Sequence, residues 1–133
     1  MDFHLIDLSD VKKYRMFVEM ALQKSTSFSV CTFKRYHQKD LSLQYRTFMK
    51  AIEPYEREQK KVVLPPHYVK GQSFHLYMLQ KETREAIRTV PSLQAWGPPD
   101  YPEDLAFYTQ NQLWFYSVSH EGLAFVRQGN SSV

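Results

Sequence analysis

The last third of the chain constrains its fold most tightly. Leu105 to Thr109, Gln112 to Ser119 and Leu123 to Arg127 are three short runs rich in aromatic and β-branched residues. Gln110-Asn111 separates the first two, and Asn tolerates the positive φ of a tight turn. Ser119-His120-Glu121-Gly122 separates the last two, with Gly122 free to take φ > 0. Three such runs with tight connections predict an antiparallel meander. Within it Leu113, Phe115 and Ser117 alternate with Trp114, Tyr116 and Val118, and Phe107 alternates with Tyr108, so both faces bear rings. A half-solvated sheet would show polar residues on one face. The pattern therefore predicts a second face covered by a helix, a loop or a partner. The loop holding Trp96 and Tyr101 is a candidate cover.

Upstream, the hydrophobic period changes from two to 3.6. Val11, Tyr14, Val18, Ala21 and Leu22 share one face of a helix predicted over Asp10 to Lys24, with Ser9 or Asp10 as its cap. Ser27 to Phe33 alternates strictly and reads as a strand. Leu41, Tyr45, Phe48, Met49 and Ile52 predict a second helix from about Asp40, stopped near Glu53 by Pro54. Tyr55 to Lys61 reads as a further helical turn, Val62 to Leu64 as a short strand and Pro65 to Ser73 as a loop. Phe74 to Leu79 reads as a strand, and Lys81 to Val90 as a short helix with Ala86, Ile87 and Val90 inward. Three prolines and a glycine between Trp96 and Pro102 forbid a regular element there. The order predicts an α+β fold: an antiparallel sheet ending in a three-strand meander, with two or three helices on one face. A length of 133 residues suits one domain, read as 1–127 with a frayed tail at 128–133.

Composition then narrows the chemistry. Nine Phe, nine Tyr and two Trp stand against four Gly, and no two glycines lie close enough for a phosphate-cradling loop. Neither GxxxxGK[ST] nor GxGxxG occurs, so nucleotide chemistry in its usual folds is excluded, and no cofactor is expected. HExxH and GxSxG are also missing. Cys31 is the only cysteine, which rules out a disulfide framework and every Cys-rich zinc site and fits a reducing compartment. With no secretory pattern at the N-terminus and no apolar run of spanning length, the reading is cytoplasmic, without membrane contact.

Few groups could still do chemistry. His4, His37, His67, His75 and His120 match no zinc spacing, so no metal is expected. His120-Glu121 at a hairpin tip could form an imidazole–carboxylate pair, with His75 and Tyr77 on a shared strand face as further members of a hydrolase or nuclease site. The plainer reading is that His120 and Glu121 cap the turn. Glu103-Asp104 could form an acid/base pair or hold a divalent ion, but the plainer reading is an Asx-type turn feeding the first meander strand. Cys31 reads as a buried small hydrophobe more readily than as a thiol nucleophile.

The rings carry the binding reading. Tyr14, Phe17, Tyr45 and Phe48 fall on helix stripes and are packing. Trp96, Tyr101, Tyr108, Trp114 and Tyr116 exceed what one sheet face needs, and together with His120 they would form a protein contact surface if exposed. The charge is asymmetric, +5 over residues 1–70 and −2 over 71–133. The basic half could steer an encounter or bind nucleic acid, but the densest rings lie in the acidic half, which counts against a stacking platform.

The stretch Pro102-Glu103-Asp104-Leu105-Ala106-Phe107-Tyr108, with Leu113-Trp114-Phe115 and Ser119-His120-Glu121, resembles the tails of small uncharacterised cytosolic proteins of Gram-positive bacteria and their phages. Some of these are immunity or inhibitor partners of toxins. The resemblance covers the C-terminal quarter and assigns no residue a role. It implies a prokaryotic protein-binding role. The expectation is thus a non-enzymatic protein of immunity, inhibitor or regulatory type that binds another protein. The alternatives are the His120/Glu121/His75 enzyme, nucleic-acid binding by the basic half, and a homodimer through the ring-rich sheet.

Overall fold

The computed structural model describes residues 3–33, 38–58, 64–66 and 72–127. The strands are β1 (Phe3–Ile6), β2 (Ser27–Phe33), β3 (Glu56–Arg57), β4 (Gln72–Met78), β5 (Glu103–Thr109), β6 (Gln112–Val118) and β7 (Leu123–Arg127). They form one antiparallel sheet in the order β1-β7-β6-β5-β2-β4-β3. Three helices, α1 (Val11–Lys24), α2 (Leu43–Ile52) and α3 (Lys81–Arg88), join it in an α+β fold. Most of the expected strand at 62–64, most of the expected loop over 65–73 and the tail at 128–133 lie outside the described residues; Gln72 and Ser73, expected in that loop, instead begin β4, which ends at Met78 and not at Leu79.

α1 and α2 start where a side chain satisfies a first-turn N–H that the helix itself cannot. Asp10 accepts from the Lys13 N–H at 3.0 Å, and Ser42 from the Tyr45 N–H at 3.1 Å. Ser42, not Asp40, therefore begins the second helix, and Gln38–Asp40 forms a separate 3₁₀ turn. Before α3 the Thr83 hydroxyl accepts from the Gln80 N–H at 2.7 Å. Beyond Pro54 the chain makes a 3₁₀ turn at Glu53–Tyr55 and then the short edge strand β3, not the longer helical turn expected.

Both faces of the sheet are buried. On one face Phe28, Val30, Tyr77, Leu105, Phe107, Trp114 and Phe115 pack with the helix stripes of Tyr14, Val18, Leu22, Phe48, Ile52 and Ile87. On the other face Cys31, Phe74, Leu76, Tyr108, Leu113, Tyr116 and Val118 form a second cluster. Trp96 and Tyr101 belong to the helix-side cluster, so their loop does not cover the second face.

The simple alternation expected in the meander fails at one residue. Tyr108 pairs with Leu113 while Phe107 pairs with Phe115, leaving Trp114 as the extra residue of a β-bulge. The bulge sends both Trp114 and Phe115 to the helix side. A second irregularity, between Ser29/Ala106 and Cys31/Glu103, gives β5 an extra residue, and there Asp104 takes φ +61. Asp is among the few side chains that adopt this left-handed conformation readily.

Candidate functional site

Two loops distant in sequence meet at one end of the sheet. The first follows α3: a 3₁₀ turn at Leu93–Ala95, capped by the Ser92 hydroxyl at 3.2 Å from the Ala95 N–H, runs into Trp96. Gly97 then takes φ +140, a conformation that favours glycine. The Pro98–Pro99 bond is cis. The Pro99 carbonyl accepts from the Ser42 N–H at 2.9 Å, fastening the loop to the start of α2. The second loop is the 3₁₀ turn Ser119–Glu121, which ends on Gly122 at φ +67.

Asp104 holds the second loop in place. Its Oδ1 accepts from the Ser119 N–H at 2.9 Å and from the Ser119 hydroxyl at 3.1 Å, and its Oδ2 accepts from the Gln72 side-chain amide at 3.0 Å. This carboxylate is almost fully buried, so such bonds are what allow it there. Sequence reasoning weighed Asp104 as a chemical group or a local turn former. It is a clamp on a turn fifteen residues away. The bulge, which sequence alternation does not report, aims it there.

Between the loops lies a cleft of about 840 Å³ lined by residues 94–100, Glu103 and residues 119–122. Asp100, Glu103 and Glu121 are its carboxylates, and no lysine or arginine is among the described residues lining it. The His120 Nε2 lies 3.3 Å from the Glu121 Oε2, and the His120 side chain is 62% exposed. These neighbours pair because they sit in a 3₁₀ turn and not on a strand, where they would point to opposite faces.

His75 is elsewhere. It lies on β4, three strands across from β6, or about 14 Å at the usual strand spacing. Its Nδ1 is 3.3 Å from the Glu56 Oε2, and its Nε2 is 3.2 Å from the Thr32 hydroxyl. The His120, Glu121 and His75 constellation is therefore not assembled. Cys31 is buried, and that burial, with the Asp104 and Glu103 charges, pushes its thiol up to about 12. A thiol so held is not a nucleophile. Among the described residues no three His, Cys, Asp or Glu are grouped to hold a metal, and no helix is long and apolar enough to cross a membrane. His37 and His67 lie outside those residues.

The proposed ring anchors are not at the surface. Trp96, Tyr101, Tyr108, Trp114 and Tyr116 are 2, 2, 0, 3 and 8% exposed. Their polar atoms are used internally: the Trp96 indole donates to the Tyr14 hydroxyl at 2.8 Å, and the Trp114 indole donates to the Ser25 hydroxyl at 2.9 Å. The Tyr108 hydroxyl bonds that of Ser29 at 3.2 Å. Tyr116 stacks on Phe125 at 4.8 Å, and Phe48 meets both Trp96 and Tyr101 edge-on. These rings are packing. Of the binding residues expected from sequence, only His120 is exposed. The same burial withdraws the rings as a contact for a sheet-mediated homodimer or as a platform for stacking bases.

A second depression, unsuspected from the sequence, lies between α2 and α3. It measures about 810 Å³, and its lining includes Leu43, Thr47, Phe48 and Ala51 on one side and Glu82, Glu85 and Ala86 on the other. The only sequence hint is Leu43, a large apolar residue off the buried stripe of α2. Compared with known proteins, the chain matches no family model, no curated protein and no solved structure.

Proposed function

We propose that this protein acts by binding another protein, in an immunity, inhibitory or regulatory role, through the cleft formed by residues 94–100 and 119–122. One observation carries the reading. Two distant loops, each anchored by buried or backbone hydrogen bonds, converge on an acidic cleft whose one histidine among the described residues is paired with its own neighbour. Rigid anchoring lowers the entropy lost on binding. The carboxylates Asp100, Glu103 and Glu121 favour a partner that presents lysine or arginine. Of the surplus rings only Trp96 reaches the cleft lining, where it is 2% exposed.

The test is site-specific photo-cross-linking in the native host. A cross-linker at His120 lies in the cleft, while one at exposed Gln110 lies at the turn between β5 and β6. The expected result is one discrete heavier species from position 120 and none from position 110. It should vanish on combining Asp100→Lys with Glu121→Lys. No discrete species, or one indifferent to these charge reversals, overturns the proposal.

A further inference from the structure

We propose that the groove between α2 and α3 receives α1 of a second copy of this chain, with Met16 as the inserted side chain. The surface is separate from the cleft, and the inference does not depend on the cleft's function.

The groove suits an apolar side chain. Phe48, Ala51 and Ala86 are part of its lining, and Leu43, 71% exposed, stands in its wall. Its polar end is internally satisfied: the Gln44 amide donates to the Tyr101 hydroxyl, which donates to the Thr89 carbonyl at 3.3 Å. Covering that end leaves those groups bonded, so burial there avoids the usual cost of an unmet polar group. Glu82 and Glu85 are the charged lining residues, with no lysine, arginine or histidine among the described ones. A hydrogen bond from its own backbone N–H, and then one from the Tyr55 hydroxyl at 2.9 Å, hold the Glu82 carboxyl below the usual range.

The same chain carries a matching surface. Met16 is 74% exposed, the largest value among the exposed large apolar side chains of the described residues. It lies on the outer face of α1, opposite the buried Tyr14, Val18 and Leu22. Lys12 sits one turn before it, flanked by exposed Lys13 and Arg15. Glu19, on the other side, is engaged by Arg88 of the same chain at 2.8 and 3.2 Å. Met16 is thus an apolar knob beside the exposed cations Lys12, Lys13 and Arg15, of which Lys13 also acts on the Asp7 carboxylate. The groove is an apolar slot beside two carboxylates. Methionine adapts well to such a gap, and opposed charges fix the register. The eight residues of α3 span about 12 Å, enough to face two turns of α1.

Sedimentation velocity on the full chain over a concentration series tests this. Self-association is expected, at least tenfold weaker with Met16→Glu and equally weakened with Leu43→Glu. An equimolar mixture of the two variants should regain it, because one intact knob then meets one intact groove. Glu82→Lys with Glu85→Lys should abolish it, and Lys12→Glu with Lys13→Glu in the mixed partner should restore it. All these positions are exposed, and an unchanged circular dichroism melt confirms that each variant folds. A chain monomeric to roughly 0.5 mM overturns the proposal. So does self-association indifferent to Met16→Glu and Leu43→Glu. So does a mixture that fails to regain it, an outcome that leaves the groove to a foreign basic segment.

Discussion

Replacing Trp96 by Phe separates scaffold from surface. In a surface anchor the change would leave stability nearly untouched. Trp96 instead donates its indole N–H to the Tyr14 hydroxyl at 2.8 Å, with both residues buried. The substitution leaves that hydroxyl without its donor, a loss of about 1–3 kcal/mol. It also removes part of a large ring packed against Phe48 at 5.6 Å and Tyr101 at 6.1 Å. Adding the resulting cavity gives a destabilisation of about 2–4 kcal/mol in total. Tyr14→Phe strands the indole N–H instead and should cost about 1–3 kcal/mol. Because both changes remove the same bond, the double variant should lose about 1 kcal/mol less than the sum. Urea unfolding followed by circular dichroism measures all four proteins. A loss under about 0.5 kcal/mol for Trp96→Phe, or strict additivity in the cycle, would refute the burial of this pair.

Alkali should unfold the protein from about pH 9 upward. Burial pushes the Cys31 thiol up from 9.0 to about 12 and the Tyr14 hydroxyl up from 10.0 to about 12, and it raises Tyr77 and Tyr108 as well. Across that range the native state binds more protons than the unfolded state, so stability is full below the unfolded pKa values and falls as pH rises through the folded ones. Several kcal/mol should be gone by pH 12, and a denaturant midpoint flat from pH 8 to 12 contradicts this. Gly122→Ala adds a Cβ at φ +67 with only ordinary contact at 4.0 Å to the Gln94 Nε2, so its cost is conformational, about 1–2 kcal/mol, and a stability-neutral variant refutes that turn geometry. Cys31 should react with a water-soluble thiol reagent only as fast as the chain opens, and rapid labelling in the native state would place it at the surface.

Periodicity reports which residues share a face, and that much of the fold was legible. The stripes of α1, α2 and α3 and the alternation of β2 and β4 fall as their spacing requires, except that Val11, expected on the α1 stripe, is 47% exposed and Leu41, expected on that of α2, precedes the helix. The meander was legible as three strands, but its register was not. An extra residue at Trp114 leaves the pattern of residue types unchanged while moving a ring to the opposite face. β1 went unseen because four residues carry no measurable period, and their partner β7 lies at the other end of the chain. Both loops of the cleft stood out by their prolines and glycines, yet the clamp that holds the second depends on Asp104 at a bulge. The α2–α3 groove exists because Ala51 and Ala86 leave space where two helices pass, and spacing along one helix cannot show a gap between two.

That the surplus rings are scaffold and not surface is tested most directly by iodide quenching of tryptophan fluorescence, since Trp96 and Trp114 are the only two indoles. With both at 3% exposure or less, emission should be blue-shifted and iodide should quench almost none of it until denaturant is added. A quenchable, red-shifted component in the native protein, lost with Trp96→Phe, would place Trp96 at the surface and restore the ring-anchored interface.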